Sequence, residues 1–125
     1  MKNSIKILIG VVVATVAIFL TLKLTGYGVQ NENYDDFAKC LTEKGVKMYG
    51  AYWCGHCKTQ KEMLGDSWQY VNYVECSNPD GTPTAECTAA GIEGYPTWEF
   101  ADGMRVPGVL SFEELSKRIG CPLVK

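Results

Sequence analysis

Apolar and polar residues follow two regimes along the chain. From residue 7 to residue 22 it reads ILIGVVVATVAIFLTL without a charge, and across residues 5–24 only Lys6 and Lys23 interrupt the apolar run. At 1.5 Å per residue, roughly twenty residues make about 30 Å of helix, enough to cross a bilayer with both lysines reaching to the interfaces. The pattern predicts one N-terminal transmembrane helix and three regions: an anchor over residues 1–24, a polar linker over 25–33 and a soluble domain over 34–125. A cleaved signal peptide competes with this reading, because Lys2 and Lys6 form a basic start. No small-x-small cleavage site follows Phe19, where Leu, Thr, Leu, Lys, Leu, Thr, Gly and Tyr come next, so an uncleaved anchor is expected. Lys2 and Lys6 would keep the short N-terminal end in the cytoplasm. The single-pass reading then places the rest on the periplasmic, extracellular or lumenal side, tethered within tens of ångströms of the membrane.

Beyond the linker the periods are those of a small α/β domain. Phe37, Ala38 and Leu41 recur at helical spacing within residues 34–44, and Gly45 suits a helix end. Residues 46–53 form a β-branched and aromatic run ending at Cys54, and residues 58–64 are strong helix formers. Residues 70–75 read as a strand, 77–84 as a Pro- and Gly-bearing loop, and 86–90 as a short helix stopped by Gly91. Residues 97–101 and 104–109 flank Asp102-Gly103, the signature of a β-hairpin turn. Ser111 with Glu114 three residues later forms a capping box ahead of the stripe Phe112, Leu115 and Ile119, predicting a terminal helix that packs on the hairpin. The element order implies a mixed central sheet flanked by helices.

Composition narrows the class. Twelve basic against fourteen acidic residues leave a formal charge of −2, with no basic-aromatic surface of the kind nucleic acids need. Six cysteines in so small a domain point to an oxidising compartment, where disulfides add stability that a limited core does not supply. The competing reading is a set of reduced, buried cytosolic cysteines, which the membrane segment disfavours.

The chemistry is concentrated in Tyr52-Trp53-Cys54-Gly55-His56-Cys57-Lys58. At a strand-to-helix junction the first cysteine lies beside unpaired helix N–H groups and the positive end of the dipole, which favour thiolate, so Cys54 is the expected nucleophile. Two intervening residues bring the second sulfur one turn on, where Cys57 can resolve a mixed disulfide. Gly55 permits close approach of partner backbone, and His56, the one histidine of the chain, can place positive charge near Cys54. A zinc site would want a second Cys or His pair at similar spacing, whereas the other cysteines stand singly at 40, 76, 87 and 121. A structural disulfide across two residues would be short, strained and itself labile. The redox reading needs neither a metal nor a cofactor.

With Trp-Cys-Gly-His-Cys between strand and helix, and Gly94-Tyr95-Pro96-Thr97 leading into a strand some forty residues later, the chain resembles the thioredoxin superfamily over roughly residues 44–120. The Cys-Gly-His-Cys form is similar to that of protein disulfide isomerases. The resemblance implies a thioredoxin-like fold, a cis Pro96 facing the cysteine pair, and pairing of substrate backbone with the stretch beside it, so that Tyr95 and Thr97 join Trp53 and Gly55 in substrate binding. A closer resemblance, through Lys39-Cys40-Leu41-Thr42, Met48-Tyr49-Gly50-Ala51-Tyr52-Trp53-Cys54 and Gly91-Ile92-Glu93-Gly94-Tyr95-Pro96-Thr97-Trp98, is to the thioredoxin-like domain fused to bacterial and plant homologues of vitamin K epoxide reductase. That family implies transfer of oxidising equivalents from a quinone-coupled membrane enzyme to exported proteins. This chain has one membrane segment and no four-helix reductase domain, so such an enzyme would be a separate partner. Many thioredoxins also bury an acid six positions before the first cysteine; here that position is Met48, which leaves deprotonation of Cys57 without its usual acceptor.

Four cysteines outside the motif allow three pairings. Cys76 and Cys87 flank the 77–84 loop, while Cys40 and Cys121 could clamp the ends of the domain; these two structural bridges are the expected set, with an electron relay to Cys54 and Cys57 as the alternative. Trp98 reads as core, and Trp53 and Tyr95 as partner-binding surface. The functional expectation is therefore an enzyme that forms disulfides in exported proteins. Rival readings are a reductase or isomerase of the same fold, and a module in which the Cys-Gly-His-Cys loop holds copper or another soft metal, disfavoured by the absence of a nearby Met or second His.

Overall fold

The computed structural model describes residues 1–24 and 33–123, which fall into two compact units, one within Met1–Asn31 and one within Glu32–Lys125. The linker expected over residues 25–33 lies, apart from Asn33, outside the described residues.

The first unit is a single helix, α1, Lys2–Leu24, long and apolar enough to cross a membrane. Within it the Thr15 and Thr21 hydroxyls donate to the carbonyls of Val12 and Ile18. That matters in hydrocarbon, where no water replaces a missing bond.

In the second unit α2 (Asp35–Glu43), β1 (Lys47–Gly50), α3 (Gly55–Leu64), β2 (Tyr73–Glu75), α4 (Ala85–Ala89), β3 (Thr97–Glu99), β4 (Arg105–Pro107) and α5 (Phe112–Ile119) follow one another, with a 3-10 turn at Gly65–Tyr70. The sheet runs β2-β1-β3-β4, with β1 and β2 parallel and the other pairs antiparallel. This is a mixed α/β, thioredoxin-like architecture: a mixed four-stranded sheet flanked by helices.

Alternation along β1 divides the interior into two clusters. Met48 joins Phe37, Leu41, Cys57, Leu64, Trp98 and Leu115 in the larger one, and Tyr49 joins Cys76 and Cys87 in the smaller. The cross-strand partners Met48 and Trp98 share the first face. On the second face Glu99 accepts from Lys47 on one side at 3.1 Å and from Arg105 on the other at 2.7 Å, so one carboxylate ties β1, β3 and β4 together. Burial alone would raise the Glu99 pKa, but the bonds from Arg105 and Lys47 outweigh it and hold the carboxyl below its usual range.

Three elements differ from the periodicity. The first strand ends at Gly50 rather than at Trp53, because the Tyr52 N–H leaves the ladder for the Glu75 carboxylate at 3.1 Å. Tyr70 belongs to the 3-10 turn, not to β2, and its carbonyl accepts from the Thr42 hydroxyl at the end of α2. The hairpin closes through three residues: Phe100 N–H bonds to the Met104 carbonyl across Ala101, Asp102 and Gly103, with Gly103 at φ 81° supplying the left-handed position of such a loop. The last helix has its capping box, the Ser111 hydroxyl accepting from Glu114 N–H and the Glu114 carboxylate from Ser111 N–H, and Gly120 ends it at φ 72°.

Candidate active site

β1 delivers the chain to the site and α3 begins there. After Gly50 the Cys54 N–H bonds back to the Ala51 carbonyl at 3.0 Å, a turn that sets Cys54 in extended conformation as the N-cap of α3. Its sulfur accepts from the Cys57 N–H at 3.2 Å, so the sulfur itself takes up one of the N–H groups a helix start leaves unpaired. Cys54 and Cys57 are both free thiols and both line the larger cluster; Cys54 is 8% exposed and Cys57 1%. Burial first, then the hydrogen bond with Cys54, pushes the Cys57 thiol up to about 12, against small opposing effects of the Ala51 backbone and Lys61. An incoming sulfur thus meets Cys54, and the inner thiol keeps its proton at neutral pH.

Around the pair the structure brings some candidate residues together and separates others. Trp53, 58% exposed, stands edge-on to Tyr95 with ring centroids 5.8 Å apart. The Trp53 indole N–H donates to the Ser77 hydroxyl at 2.9 Å, and the Tyr52 hydroxyl to the Pro79 carbonyl at 3.2 Å, so the 77–84 loop braces both aromatic residues beside the motif. Pro96 is buried and joined to Tyr95 by a cis peptide bond. Thr97 is also buried: its hydroxyl donates to the Gly94 carbonyl at 2.7 Å, so its side chain braces the turn before β3. Gly55 and His56 are exposed in the first turn of α3. Cys40 is bonded to Cys121 with Cα atoms 5.9 Å apart, and Cys76 to Cys87 at 5.4 Å.

Three residues that periodicity did not single out stand on the elements around the pair. Gln60, wholly buried on α3, donates to the Leu110 carbonyl at 3.1 Å, while its oxygen accepts from Leu110 N–H at 2.8 Å and from the Trp98 indole at 3.3 Å. Tyr73 and Glu75 on β2 share a 2.8 Å bond from phenol to carboxylate, and Glu75 also accepts from the Tyr52 and Ser77 N–H groups at 3.1 and 3.0 Å. The i, i+2 spacing places Tyr73 and Glu75 on one face of a strand; only the pairing with β1 says that this is the face beneath α3.

No protein-family model matches the chain. Over 92 residues it is 44% identical to the thiol-disulfide oxidoreductase LTO1 of Arabidopsis thaliana, an alignment covering 69% of this chain and 24% of that protein. By sequence the chain is thus similar to a thiol-disulfide oxidoreductase, of whose length it spans about a quarter.

Proposed function

We propose that the protein is a membrane-anchored thiol–disulfide oxidoreductase that promotes disulfide formation in exported proteins and is reoxidised by a quinone-linked, vitamin K epoxide reductase-like membrane enzyme. The observation that carries the redox reading is the pair itself: Cys54, 8% exposed, caps α3 and Cys57, 1% exposed, lies one turn on, both as free thiols, while the other four cysteines are joined in disulfides. In the forward cycle a substrate thiolate attacks the Cys54 sulfur of the oxidised pair, the Cys54–Cys57 bond breaks, and Cys57 leaves with the electron pair. A second substrate thiolate attacks the substrate sulfur of the mixed disulfide and releases Cys54. The substrate is oxidised by two electrons, the pair is reduced by two, and the membrane enzyme removes them.

Trp53 and Tyr95 form the aromatic edge against which substrate packs, and α1 holds the domain at the membrane with its N-terminus in the cytoplasm. His56 is exposed in the first turn of α3, within the motif that carries both cysteines. The test is the reduction potential of the Cys54–Cys57 pair in the full-length chain, equilibrated against glutathione buffers. A value of about −200 mV or above is expected of a disulfide donor, and one of about −270 mV or below would move the protein to the reductive branch.

A further inference from the structure

We infer that the Tyr73 hydroxyl and the Glu75 carboxylate form a proton relay for Cys57, drawing off its thiol proton when Cys57 resolves a mixed disulfide held on Cys54. The inference rests on the redox reading of the pair and deepens it by assigning the proton's route.

The need for a relay comes from the surroundings of Cys57. Cys57 is 1% exposed within the apolar cluster that holds Phe37, Leu41, Met48, Leu64 and Trp98, and its thiol has the Cys54 side chain and the Ala51 backbone as hydrogen-bond neighbours. The inner face of β1 offers Met48 and Gly50, neither of which carries an acid. The acceptor stands one strand over. In the parallel pairing Met48 is the partner of Tyr73 and Gly50 the partner of Glu75, while Val74 between them packs in the smaller cluster on the other face. Tyr73 and Glu75 therefore point to the side of the sheet that holds Cys57.

Gly50 shows how close they come. A Cβ placed on Gly50 would lie 3.0 Å from the Cys57 sulfur and 3.1 Å from the Tyr73 hydroxyl oxygen, with a Tyr73 ring carbon at 2.8 Å. Sulfur and phenol oxygen border one small space, which exists because residue 50 has no side chain. From the phenol the path continues through the 2.8 Å bond to the Glu75 carboxylate, whose other oxygen is fixed by the Tyr52 and Ser77 N–H groups. The ring is held by Trp68 at 5.4 Å and by the Lys61 ammonium 4.0 Å from its centroid. Among the described residues, Cys54 at the N-cap of α3 and Lys61 on α3 act on the Cys57 thiol, Tyr73 from β2 faces it across Gly50, and Glu75 stands behind Tyr73. Burial, then the bond to Glu75, pushes the Tyr73 phenol above its ordinary range, so it passes a proton on without keeping a charge.

The step balances without an added reagent. The Cys57 S–H bond breaks as an O–H bond forms on Tyr73; the original Tyr73 O–H bond breaks as one forms on Glu75. Tyr73 ends neutral, and one negative charge has moved from Glu75 to the Cys57 sulfur, beside the Lys61 ammonium. That sulfur attacks Cys54, the Cys54–Cys57 bond forms, and the partner sulfur leaves with the electron pair. Glu75 then yields its proton to water.

The test uses the reduced full-length chain in detergent and a disulfide reagent whose aromatic thiol absorbs when released. Cys54 liberates the first equivalent and forms the mixed disulfide; Cys57 liberates the second. In Tyr73→Phe and Glu75→Gln the first release should match the wild type, whereas the second should slow by about 100-fold near neutral pH and converge on the wild type near pH 10, where hydroxide replaces the relay. Second-release rates within about twofold of wild type at every pH, or slowed by one common factor at every pH as altered packing would do, would overturn the relay. Tyr73→Phe keeps the ring and its contacts, so it decides the question if Glu75→Gln does not fold. A wild-type chain releasing only one equivalent would overturn the redox reading of the pair, and the relay with it.

Discussion

Cys54 and Cys57, three residues apart, live in different media. Cys54 sits at the helix start with some access to solvent, and Cys57 is enclosed with its thiol pushed up to about 12 by burial and by the bond with Cys54. In the reduced protein at about pH 8, iodoacetamide should label Cys54 and leave Cys57 unmodified, which peptide mass spectrometry would read directly, since thiolate and access together set reactivity. The same shift links the dithiol form to pH. The folded value lies above the 9.0 of an unperturbed thiol, so the stability it contributes is complete below about pH 9 and is lost as pH rises toward 12. The oxidised pair has no such titration. The urea midpoint of the reduced form should therefore fall relative to that of the oxidised form between pH 8 and pH 10.5; parallel midpoints would show that Cys57 is not shifted.

Among the elements, α3 decides where the second sulfur lies, and Gln60 decides where α3 lies. Its amide answers the Trp98 indole of β3 and both backbone groups of Leu110, joining the helix to the sheet and to the segment ahead of α5. Gln60→Leu keeps the helix and much of the volume but strips two buried N–H donors of their acceptor, at about 1–3 kcal/mol each. For a domain of this size that is a fall in melting temperature of about 10 °C or more, and calorimetry of the oxidised protein would check it. A fall under about 3 °C would mean that water or a rearranged backbone replaces the amide. In the sequence Gln60 reads as one more good helix former, because its partners are 38 and 50 residues away. The hairpin, the capping box and the strand-to-helix junction at Cys54 are legible because their determinants lie within a few residues of one another.

Across the folded unit the two disulfides act at different lengths: Cys76–Cys87 closes 11 residues and Cys40–Cys121 closes 81. Chain entropy assigns them about 3 and 4.5 kcal/mol respectively, the longer loop contributing more. Replacing Cys40 and Cys121 together by serine should therefore lower the urea midpoint further than replacing Cys76 and Cys87. The opposite order would mean that packing in the small cluster of Tyr49, Cys76 and Cys87 outweighs loop closure. The mixed order of the sheet is also a property at this scale: β1 lies between β2 and β3, so both of its edges are paired, while alternation sends Met48 and Tyr49 to different clusters on its two faces.

The sequence by itself determined what depends on near neighbours: the apolar length of α1, the alternation of helices and strands, and the placing of a Cys-Gly-His-Cys motif where a strand gives way to a helix. Period, capping and turn chemistry act over one or two turns, and their information is local. The tertiary structure alone decided which groups distant in the chain share a space. Of the three pairings of Cys40, Cys76, Cys87 and Cys121, position along the chain favours Cys76–Cys87 with Cys40–Cys121, but bonding distance is a property of the fold, which brings those pairs to 5.4 and 5.9 Å between Cα atoms. The absence of an acid at Met48 can be read directly, but that Tyr73 stands opposite it, with Glu75 behind, follows only from the parallel register of β1 and β2. Strand register is set by burial of whole faces against helices, a condition that no short stretch of the chain contains.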